Sequence, residues 1–485
     1  MLNFPIIYKA IGTLLYLEAM LLSFCMGVGL FYNETNYFTF GIPITVAIGL
    51  GFLLRFIGRN AENRMGRRDG FLIVSVTWII FSLIGMLPLY ISNSAPNPVH
   101  AFFETISGFT TTGATVLTNI DSLQHSVLTW RSLTHWIGGM GIVFFTIAVL
   151  PNMGGSETKL FSAEATGLKI GKLHPRISTT ARWLWSIYLL LTLSCAGSYY
   201  LGGMGIFDAI NHGLSTIGTG GFSTHQDSLA YFKSTQLEWI ATIFMFLASI
   251  NFTLLYLFFI KRRFSDVLHD GELRCFLSIF FSAALFFSGI LFFFQDYTIG
   301  DALRYGFFNT AAIQSTTGFT CIDFMAWLPI THIIFILLMM CGACAGSTSG
   351  GLKCIRILMV GKLTRNEFKQ LLHPHAIFPI RINGTPITTQ VGRTVFVFFA
   401  IYIIILVLGT SYLVCRGLPI TDAFGIVVTS FGNVGPCVGT KIGALGSWDV
   451  LSNDMLLVSS FIMLAGRLEI FSLLLPFIPA FWKDK

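Results

Sequence analysis

Apolar stretches of roughly 20 residues alternate with short polar connections along almost the whole chain. A stretch of this length crosses the hydrocarbon core of a bilayer as an α-helix. Four shorter apolar stretches, of about ten to fifteen residues, lie between the long ones: between the third and fourth, the fifth and sixth, the seventh and eighth, and the ninth and tenth. Because they are too short to cross the bilayer, they are predicted to be re-entrant segments. The ten predicted spans lie at about 10–32, 37–58, 71–92, 132–151, 183–203, 236–260, 274–295, 329–352, 394–415 and 455–478.

Each of the four shorter stretches ends in a similar turn rich in threonine and glycine. Four such turns at nearly equal spacing predict one ring with fourfold pseudosymmetry, and such a ring can line an ion pore. A single glycine turn would be explained as well by a loop or by close helix packing, but the repetition at matching places favours the pore. The turns are Thr111-Thr112-Gly113, Thr219-Gly220-Gly221, Thr316-Thr317-Gly318 and Asn433-Val434-Gly435, and the glycines taken as equivalent, Gly113, Gly220, Gly318 and Gly435, lie 107, 98 and 117 residues apart.

The residues that precede the turns also repeat. Glu104 lies as far before Gly113 as Asn309 lies before Gly318, and Asn211 takes the matching place before Gly220. Three of the stretches open with an aspartate, a residue that caps helix N-termini well, at Asp208, Asp301 and Asp422. The predicted fold is an all-α polytopic membrane protein with an N-terminal pair of transmembrane helices (1–65) and four tandem span–pore helix–span repeats (66–155, 156–262, 263–362 and 363–485).

This arrangement suits a cation. A short helix that descends halfway into the membrane places the negative end of its dipole near the membrane centre. An extended segment then returns with its carbonyl oxygens directed at the pore axis, where they replace the hydration shell of an ion. Glycine permits the backbone angles that such a segment needs. Non-helical backbone is tolerated at this depth only where it is buried or lines a water-filled cavity.

Composition and charge agree with a membrane protein. Of the 485 residues, 54% are hydrophobic and only 11% are charged, whereas a soluble domain carries about 25% charged residues. With ten spans, 24 of the 30 Lys and Arg residues fall on one side of the membrane and five on the side of the turns. The positive-inside rule therefore predicts that both termini are cytoplasmic and that the turns face outward. The net charge of +7 reflects this bias, so no nucleic-acid partner is expected.

The set of four turns between paired spans resembles the Trk/Ktr/HKT superfamily of potassium transporters. The resemblance covers essentially the whole chain, and the two extra N-terminal spans and the length are closer to the bacterial Trk subunit than to the shorter Ktr subunit. The fourth turn departs from the pattern, because Asn433-Val434-Gly435 has neither threonine. In this superfamily a serine in place of the first-repeat glycine accompanies sodium permeation. The presence of Gly113 therefore implies a preference for K⁺, with Rb⁺ and some Na⁺ passing.

The resemblance also implies partners. It implies a homodimer with one pore per subunit, embedded in membrane lipid in the cell (inner) membrane, and a cytosolic ring of nucleotide-binding regulatory subunits of the TrkA type. The longest polar stretch of this chain, about 353–393, is too short for a dinucleotide-binding domain. A nucleotide (ATP, ADP or NAD) is therefore expected on the partner only. K⁺ is expected as the substrate, with no covalently bound cofactor.

The eighth span contains a run of small residues that holds a helix poorly, since each glycine costs about 1 kcal/mol relative to alanine. We expect an unwound segment beneath the filter that opens or blocks the pore, as the superfamily has an intramembrane gating loop at this place. Tight helix packing through small residues is the alternative. A Walker phosphate loop fits poorly, and the Cys341–Cys344 pair lacks a second pair of ligands. The residues of the predicted gate are Gly346, Ser347, Thr348, Ser349, Gly350 and Gly351.

Arg467 lies in the middle of the last span, where a charged side chain is expensive and usually faces a cavity or a partner. We expect it near the pore, where it sets the electrostatic barrier under the filter; the superfamily carries a basic residue at this place. The alternative is a structural ion pair with Glu469 or Glu104. Glu469 is only two positions away on the same helix and therefore points to another face.

The sequence thus predicts the pore-forming subunit of a potassium uptake system, and not an enzyme. The alternative is a secondary active K⁺ symporter coupled to H⁺ or Na⁺, although such transporters usually show inverted repeats. A membrane enzyme would need converging His, Asp or Glu residues at one depth, which the sequence does not show. The predicted ion sites are the backbone carbonyls of Thr111, Thr112, Gly113, Gly218, Thr219, Gly220, Thr316, Thr317, Gly318, Asn433, Val434 and Gly435.

Overall fold

The computed structural model describes residues 2–61, 65–141, 177–375, 378–387 and 389–483. Within these ranges the chain is predominantly α-helical, as predicted. The α-helices are Phe4–Phe31, Phe38–Ile57, Arg67–Gly85, Leu87–Ile91, Pro98–Phe109, His125–Met140, Ile177–Leu201, Ile206–Gly218, Thr235–Ala248, Phe252–Phe259, Phe264–Leu268, Gly271–Phe294, Ile299–Gln314, Pro329–Cys341, Cys354–Leu372, Thr389–Cys415, Ile420–Gly432, Asn453–Arg467, Phe471–Leu474 and Pro479–Trp482. Short 3₁₀ helices occupy Ile120–Ser122, Ser228–Phe232, Phe324–Ala326, Trp448–Val450 and Leu475–Phe477.

The same three helices recur four times in chain order after the N-terminal pair. The outer helices 1 to 4 are Arg67–Gly85, Ile177–Leu201, Gly271–Phe294 and Thr389–Cys415. The half-helices 1 to 4 are Pro98–Phe109, Ile206–Gly218, Ile299–Gln314 and Ile420–Gly432. The inner helices 1 to 4 are His125–Met140, Thr235–Ala248, Pro329–Cys341 and Asn453–Arg467. This order matches the predicted repeat of span, short helix and span.

The N-terminal pair packs through small residues. Asn3 caps the first helix by accepting a hydrogen bond from the Ile6 N–H at 3.3 Å. The second helix returns antiparallel, and Gly12 and Gly51 meet so closely that a Cβ atom on Gly12 would lie 2.7 Å from the Gly51 carbonyl oxygen. Without a hydrophobic driving force between helices in lipid, such close backbone contact is a common basis of helix association.

Apolar and polar surfaces are distributed as expected for a protein in a bilayer. The outer helices present large apolar side chains to the surroundings, for example Leu190, Phe293 and Leu408. The half-helices lie inside, and their C-terminal halves are almost wholly buried, polar residues included. Among the described residues, six helices are long and apolar enough to cross a membrane, or up to eight if each of two bent pairs counts as one span.

The inner helices are not continuous over their predicted spans. Span 236–260 breaks after Ala248 with a bend of 101°, and span 455–478 breaks after Arg467 with a bend of 117°. Span 329–352 leaves the helix at Cys341. Inner helix 1 ends at Met140, and 142–151 of its predicted span lie outside the described residues. Hydropathy predicts whether a segment stays in the membrane but not whether it stays straight, so the bends after Ala248 and Arg467 were not expected, whereas unwinding of the eighth span was.

A small β-hairpin follows helix Cys354–Leu372. Its strands, Arg381–Ile382 and Thr385–Pro386, pair antiparallel with Arg381 opposite Pro386 and Ile382 opposite Thr385. Ile382 packs with Ile355, Met359 and Val395 in a small apolar cluster of its own. The hairpin thereby joins helix Cys354–Leu372 to the start of outer helix 4.

A buried ion pair fixes half-helix 1 to inner helix 1. Glu104 is fully buried, and its Oε1 accepts hydrogen bonds from Arg131 Nη2 at 2.9 Å and Arg131 Nε at 3.1 Å. Arg131 also donates to the Ser223 carbonyl at 3.1 Å and lies over the Phe222 ring at 4.1 Å. The guanidinium thus connects the first repeat to the chain that leaves the second turn.

Replacing Arg131 by alanine should therefore destabilise the protein strongly. Removal of one partner leaves the Glu104 carboxylate buried without its counter-charge, a change that costs about 3–5 kcal/mol. Thermal unfolding of the purified protein in detergent measures the effect. Arg416→Ala is the control, because its ion pair with Asp454 is solvent-exposed and contributes little. Equal unfolding temperatures for the two variants would contradict this role.

Candidate ion-conducting site

Each half-helix ends in the same backbone turn. The first or second residue after the half-helix adopts a left-handed conformation, and a glycine with positive φ comes two residues after that. The left-handed residues are Thr111, Thr219, Thr316 and Asn433, with φ of 55°, 53°, 59° and 55°. The glycines are Gly113, Gly221, Gly318 and Gly435, with φ of 75°, 81°, 76° and 96°. We call 111–113, 219–221, 316–318 and 433–435 the filter segments.

The backbone corrects the predicted register of repeat 2 by one residue. Gly221, and not Gly220, has the positive φ of Gly113. The Thr112 N–H donates five residues back to the Ser107 carbonyl at 2.9 Å, and the Gly220 N–H donates likewise to Ser215 at 3.0 Å. Gly220 is therefore the counterpart of Thr112, and the equivalent glycines lie 108, 97 and 117 residues apart.

The corrected register also replaces the predicted counterpart of Glu104. His212, rather than Asn211, lies as far before Gly221 as Glu104 lies before Gly113. Glu104 accepts from the Thr115 hydroxyl at 2.9 Å, and His212 Nε2 contacts the Ser223 hydroxyl at 3.0 Å. Thr115 and Ser223 both lie two residues after their glycines, so the two repeats make the same contact with different side chains.

The four filter segments meet in a closed ring. A Cβ atom at Gly113 would collide with the carbonyl oxygen of Gly220 in the next repeat. Only glycine lets neighbouring segments approach this closely with this φ. Contacts of the same kind join Gly221 to the Thr317 carbonyl, Gly318 to the Val434 carbonyl and Gly435 to the Thr112 carbonyl, which brings the chain back to the first repeat.

The ring therefore brings together backbone carbonyls from all four repeats at the ends of four half-helices. The half-helices direct the negative ends of their dipoles toward this place. Carbonyl oxygens in this arrangement can replace the water around a cation. The predicted filter residues all lie in the ring except Gly218, which ends half-helix 2 and corresponds to Thr110 in the first repeat. Gly221 belongs to the ring although it was not among the predicted sites.

Side chains behind the ring hold the filter segments in place. The Thr110 and Thr112 hydroxyls lie 2.8 Å apart, and Ser315 and Thr317 repeat this contact at 2.6 Å. Asn433 explains the departure of the fourth segment, because asparagine tolerates the left-handed conformation. Its amide Nδ2 donates to the Thr112 hydroxyl and to the Met463 carbonyl, both at 3.0 Å. A side chain of repeat 4 thus links the first filter segment to inner helix 4.

The three aspartates do not cap the half-helices as predicted. Each lies in the first turn, while the N-cap positions are Gly205, Thr298 and Pro419. Two of the carboxylates instead hold the chain that leaves the filter. Asp208 accepts from the Thr224 hydroxyl at 2.6 Å, and Asp422 accepts from the Lys441 N–H at 2.7 Å. The third, Asp301, contacts Arg304 at 2.8 Å.

The predicted gate lies in a non-helical loop, 342–353, between inner helix 3 and helix Cys354–Leu372. Hydrogen bonds between its limbs close the neck of the loop, from the Leu352 N–H to Met340 at 3.0 Å and from the Cys354 N–H to Ala343 at 2.9 Å. Near this neck the Gly350 N–H donates to the Thr316 hydroxyl at 2.7 Å. The loop therefore touches the filter itself, and tight packing of a continuous helix is excluded.

Arg467 joins the loop to the filter and to the end of inner helix 1. Its guanidinium donates to the Thr348 carbonyl at 2.7 Å, to the Gly139 carbonyl at 2.7 Å and to the Thr111 hydroxyl at 3.3 Å. It also donates to the Gly138 carbonyl. Thr348 belongs to the loop and Thr111 to the first filter segment.

The carboxylates considered as partners of Arg467 pair with other arginines. Glu104 pairs with Arg131, and Glu469 pairs with Arg356. Each of these two carboxylates thus has an arginine partner of its own. Arg467 donates to three backbone carbonyls next to the filter, which fix the position of its charge.

Several contacts of the site were not predicted from the sequence. Asn251, at the break after inner helix 2, lies against Gly346 of the loop, and the Phe252 N–H donates to the Gly346 carbonyl at 3.0 Å. Glu272, in outer helix 3, accepts hydrogen bonds from the N–H groups of Ala345 in the loop and of Ile355 at the start of the helix that follows it. The contact of Asn251 had a signal in the sequence, because the polar Ser-Ile-Asn segment interrupts an apolar span. The contact of Glu272 had no such signal, because a glutamate is common at the start of a helix.

The Cys341–Cys344 pair does not form a metal site in the structure. Cys341 Sγ instead lies 3.8 Å from Cys354 Sγ across the neck of the loop. Across the described ranges, no group of three or more His, Cys, Asp or Glu residues is arranged to hold a metal ion. The ring of carbonyls is therefore the feature of the described chain best suited to a cation.

Comparisons with known proteins agree with this geometry. A family model described as "TrkH: Cation transport protein" matches residues 36–484. The Trk system potassium uptake protein TrkH of Vibrio parahaemolyticus is 36% identical, with all of both chains covered, and that of Escherichia coli K12 is 34% identical over the same shares. A crystal structure of the potassium transporter TrkH from Vibrio parahaemolyticus matches with a TM-score of 0.89 and 34% identity, over 99% of this chain and 100% of that one. The chain therefore belongs to the TrkH family of cation transport proteins.

Proposed function

We propose that this protein is the pore-forming subunit of a potassium uptake system and conducts K⁺, with Rb⁺, into the cytoplasm. The observation that carries the proposal is the closed ring of four filter segments, in which each glycine abuts a carbonyl of the next repeat. The relatives named as potassium uptake proteins support K⁺ as the substrate. The excess of Lys and Arg on the side opposite the turns supports cytoplasmic termini and a filter that faces outward.

In this mechanism the ion exchanges its water for backbone carbonyls of the filter segments. The carbonyls of Thr112, Gly220, Thr317 and Val434 form one layer of ligands, because each lies against a glycine of the neighbouring segment. The ion then meets the loop 342–353, which touches the filter through Gly350 and Arg467. The loop and the charge of Arg467 close the path, and displacement of the loop opens it.

The proposal includes a homodimer and a cytosolic nucleotide-binding regulatory subunit of the TrkA type. The exposed end of helix Cys354–Leu372 supports such a contact. Phe368, Leu371 and Leu372 are 65%, 76% and 76% exposed, and Arg365 and Lys369 are exposed beside them. This helix begins at the loop and is about 28 Å long at ~1.5 Å per residue. A partner that moves its far end would therefore act directly on the gate.

Gly113→Ser should lower the selectivity for K⁺ over Na⁺ by about tenfold, the effect of ~1.4 kcal/mol. The serine Cβ would strain a backbone with φ of 75° and displace the Gly220 carbonyl from the ring. Ion flux into liposomes measures the ratio. The control is Gly49→Ser, because Gly49 is exposed and has open space around it. An unchanged ratio of K⁺ to Na⁺ flux in folded Gly113→Ser protein would contradict the assignment of Gly113 to the filter.

Deletion of 347–350 should raise K⁺ flux without changing the order of ion preference. The deletion removes the Thr348 carbonyl held by Arg467 and the Gly350 N–H held by Thr316. Gly346 and Gly351 remain to close the shortened loop. Gln370→Ala is the control, because Gln370 is exposed on helix Cys354–Leu372 outside the loop. A flux equal to that of the intact chain would contradict a gating loop.

Arg467→Ala should also raise flux, by about threefold to tenfold, since it removes a positive charge from the ion path and releases Thr348. Initial rates of Rb⁺ uptake into liposomes measure the change. Arg263→Ala is the matched control, because its side chain is 64% exposed on the surface. If Arg467→Ala lowers the unfolding temperature and leaves the flux unchanged, the arginine is structural.

A further inference from the structure

One buried carboxylate joins the loop to the start of the helix that follows it. Glu272 is the second residue of outer helix 3, and its side chain is 1% exposed. Its Oε1 accepts hydrogen bonds from the Ala345 N–H at 2.6 Å and from the Ile355 N–H at 3.2 Å. Ala345 lies on the limb that enters the loop and Ile355 in the first turn of the helix that leaves it. The carboxylate thus bridges backbone groups ten residues apart in the sequence.

The helix start that carries Glu272 is held by the tip of the β-hairpin. Asp270 caps outer helix 3 by accepting from the Leu273 N–H at 2.9 Å. Asn383, at the turn of the hairpin, accepts from the Gly271 N–H at 2.8 Å and donates to Asp270 Oδ2 at 2.6 Å. Asn383 therefore bonds to the two residues that directly precede Glu272.

The hairpin is also fixed to the helix that follows the loop. Lys362 Nζ donates to the Arg381 carbonyl at 2.7 Å, and Ile382 packs against Ile355 and Met359. Hairpin, helix start and loop thus form one connected set of contacts. Arg381, Asn383 and Gly384 are exposed at its outer end, whereas Glu272 is buried at its inner end.

We propose that Glu272 is a positioning residue that holds the loop 342–353 in its closed arrangement, and that Asn383 of the hairpin holds Glu272 in place. Lifting the hairpin shifts the start of outer helix 3 and withdraws the acceptor from the Ala345 and Ile355 N–H groups. Buried N–H groups without an acceptor are unfavourable, so the closed loop loses stability relative to the open one. The proposal rests on the gating role of the loop given under Proposed function.

The chemistry distinguishes two substitutions of Glu272. Glutamine keeps an Oε1 acceptor of the same shape and should retain the closed loop. Leucine has a similar volume but no acceptor, so both N–H groups lose their partner. Glu272→Leu should raise basal K⁺ flux by about tenfold in liposomes that contain the purified full-length protein without a regulatory subunit. Glu272→Gln should raise it by less than about twofold.

Substitution of Asn383 tests the link between the hairpin and the loop, because basal K⁺ flux would not change if this residue were merely structural. Asn383→Asp places a second carboxylate beside Asp270 Oδ2 and should raise basal flux by about threefold. Because Asn383 acts through Glu272, the double variant with Glu272→Leu should show no more flux than Glu272→Leu alone. Relative K⁺, Rb⁺ and Na⁺ rates should be unchanged in every variant. Gln370→Ala, exposed on helix Cys354–Leu372 away from these contacts, is the control.

The outcomes separate this proposal from the gating role itself. If deletion of 347–350 raises flux but neither Glu272→Leu nor Asn383→Asp does, the proposed role of Glu272 is wrong, whereas the gating role of the loop is supported. If none of the three raises flux, the gating role is wrong. Additive effects in the double variant would contradict the link between the hairpin and Glu272. Should Glu272→Leu fail to fold, Asn383→Asp decides alone, and unchanged flux in that variant overturns the proposal.

Discussion

Backbone that leaves a helix inside a membrane must find partners for its N–H groups within the protein, because lipid offers none. The filter segments meet this constraint by pairing their N–H groups with the last turns of the half-helices. Hydroxyl and amide side chains pack behind them, as Asn433 does between Thr112 and Met463. Carbonyls of the filter segments are thereby gathered in one ring. The proposed cation site thus follows from how the chain satisfies its own amides.

The same constraint explains the contacts at the ends of the inner helices. Inner helices 2, 3 and 4 break after Ala248, Cys341 and Arg467, and inner helix 1 ends at Met140. Each break exposes helix-end carbonyls, and Arg467 satisfies those of Gly138 and Gly139. The loop 342–353 is the longest of the breaks within the described ranges, and it is held by Glu272, Arg467 and the filter itself. A segment held by a few such contacts can have two arrangements of similar free energy, which is what a gate requires.

The sequence predicts the repeat and the ring because each depends on local signals. A short apolar stretch followed by threonine and glycine recurs at nearly equal spacing. It does not predict whether Gly220 or Gly221 corresponds to Gly113, because adjacent glycines differ only in the φ that the fold imposes. The break after Arg467 was also missed, since the residues around it are mostly apolar and hydropathy does not detect bends. The contact between Glu272 and Ala345 joins residues 73 positions apart and has no local signal.

If the ring is a selective pore, K⁺ flows through it down its gradient without any other source of energy. This can be measured as the flux of K⁺, Rb⁺, Na⁺ and Li⁺ into liposomes that hold the purified protein, with no ATP and no proton or sodium gradient. We expect downhill K⁺ and Rb⁺ flux, with Na⁺ and Li⁺ slower. Transport that begins only when a proton or sodium gradient is applied would contradict this expectation and would identify a coupled symporter.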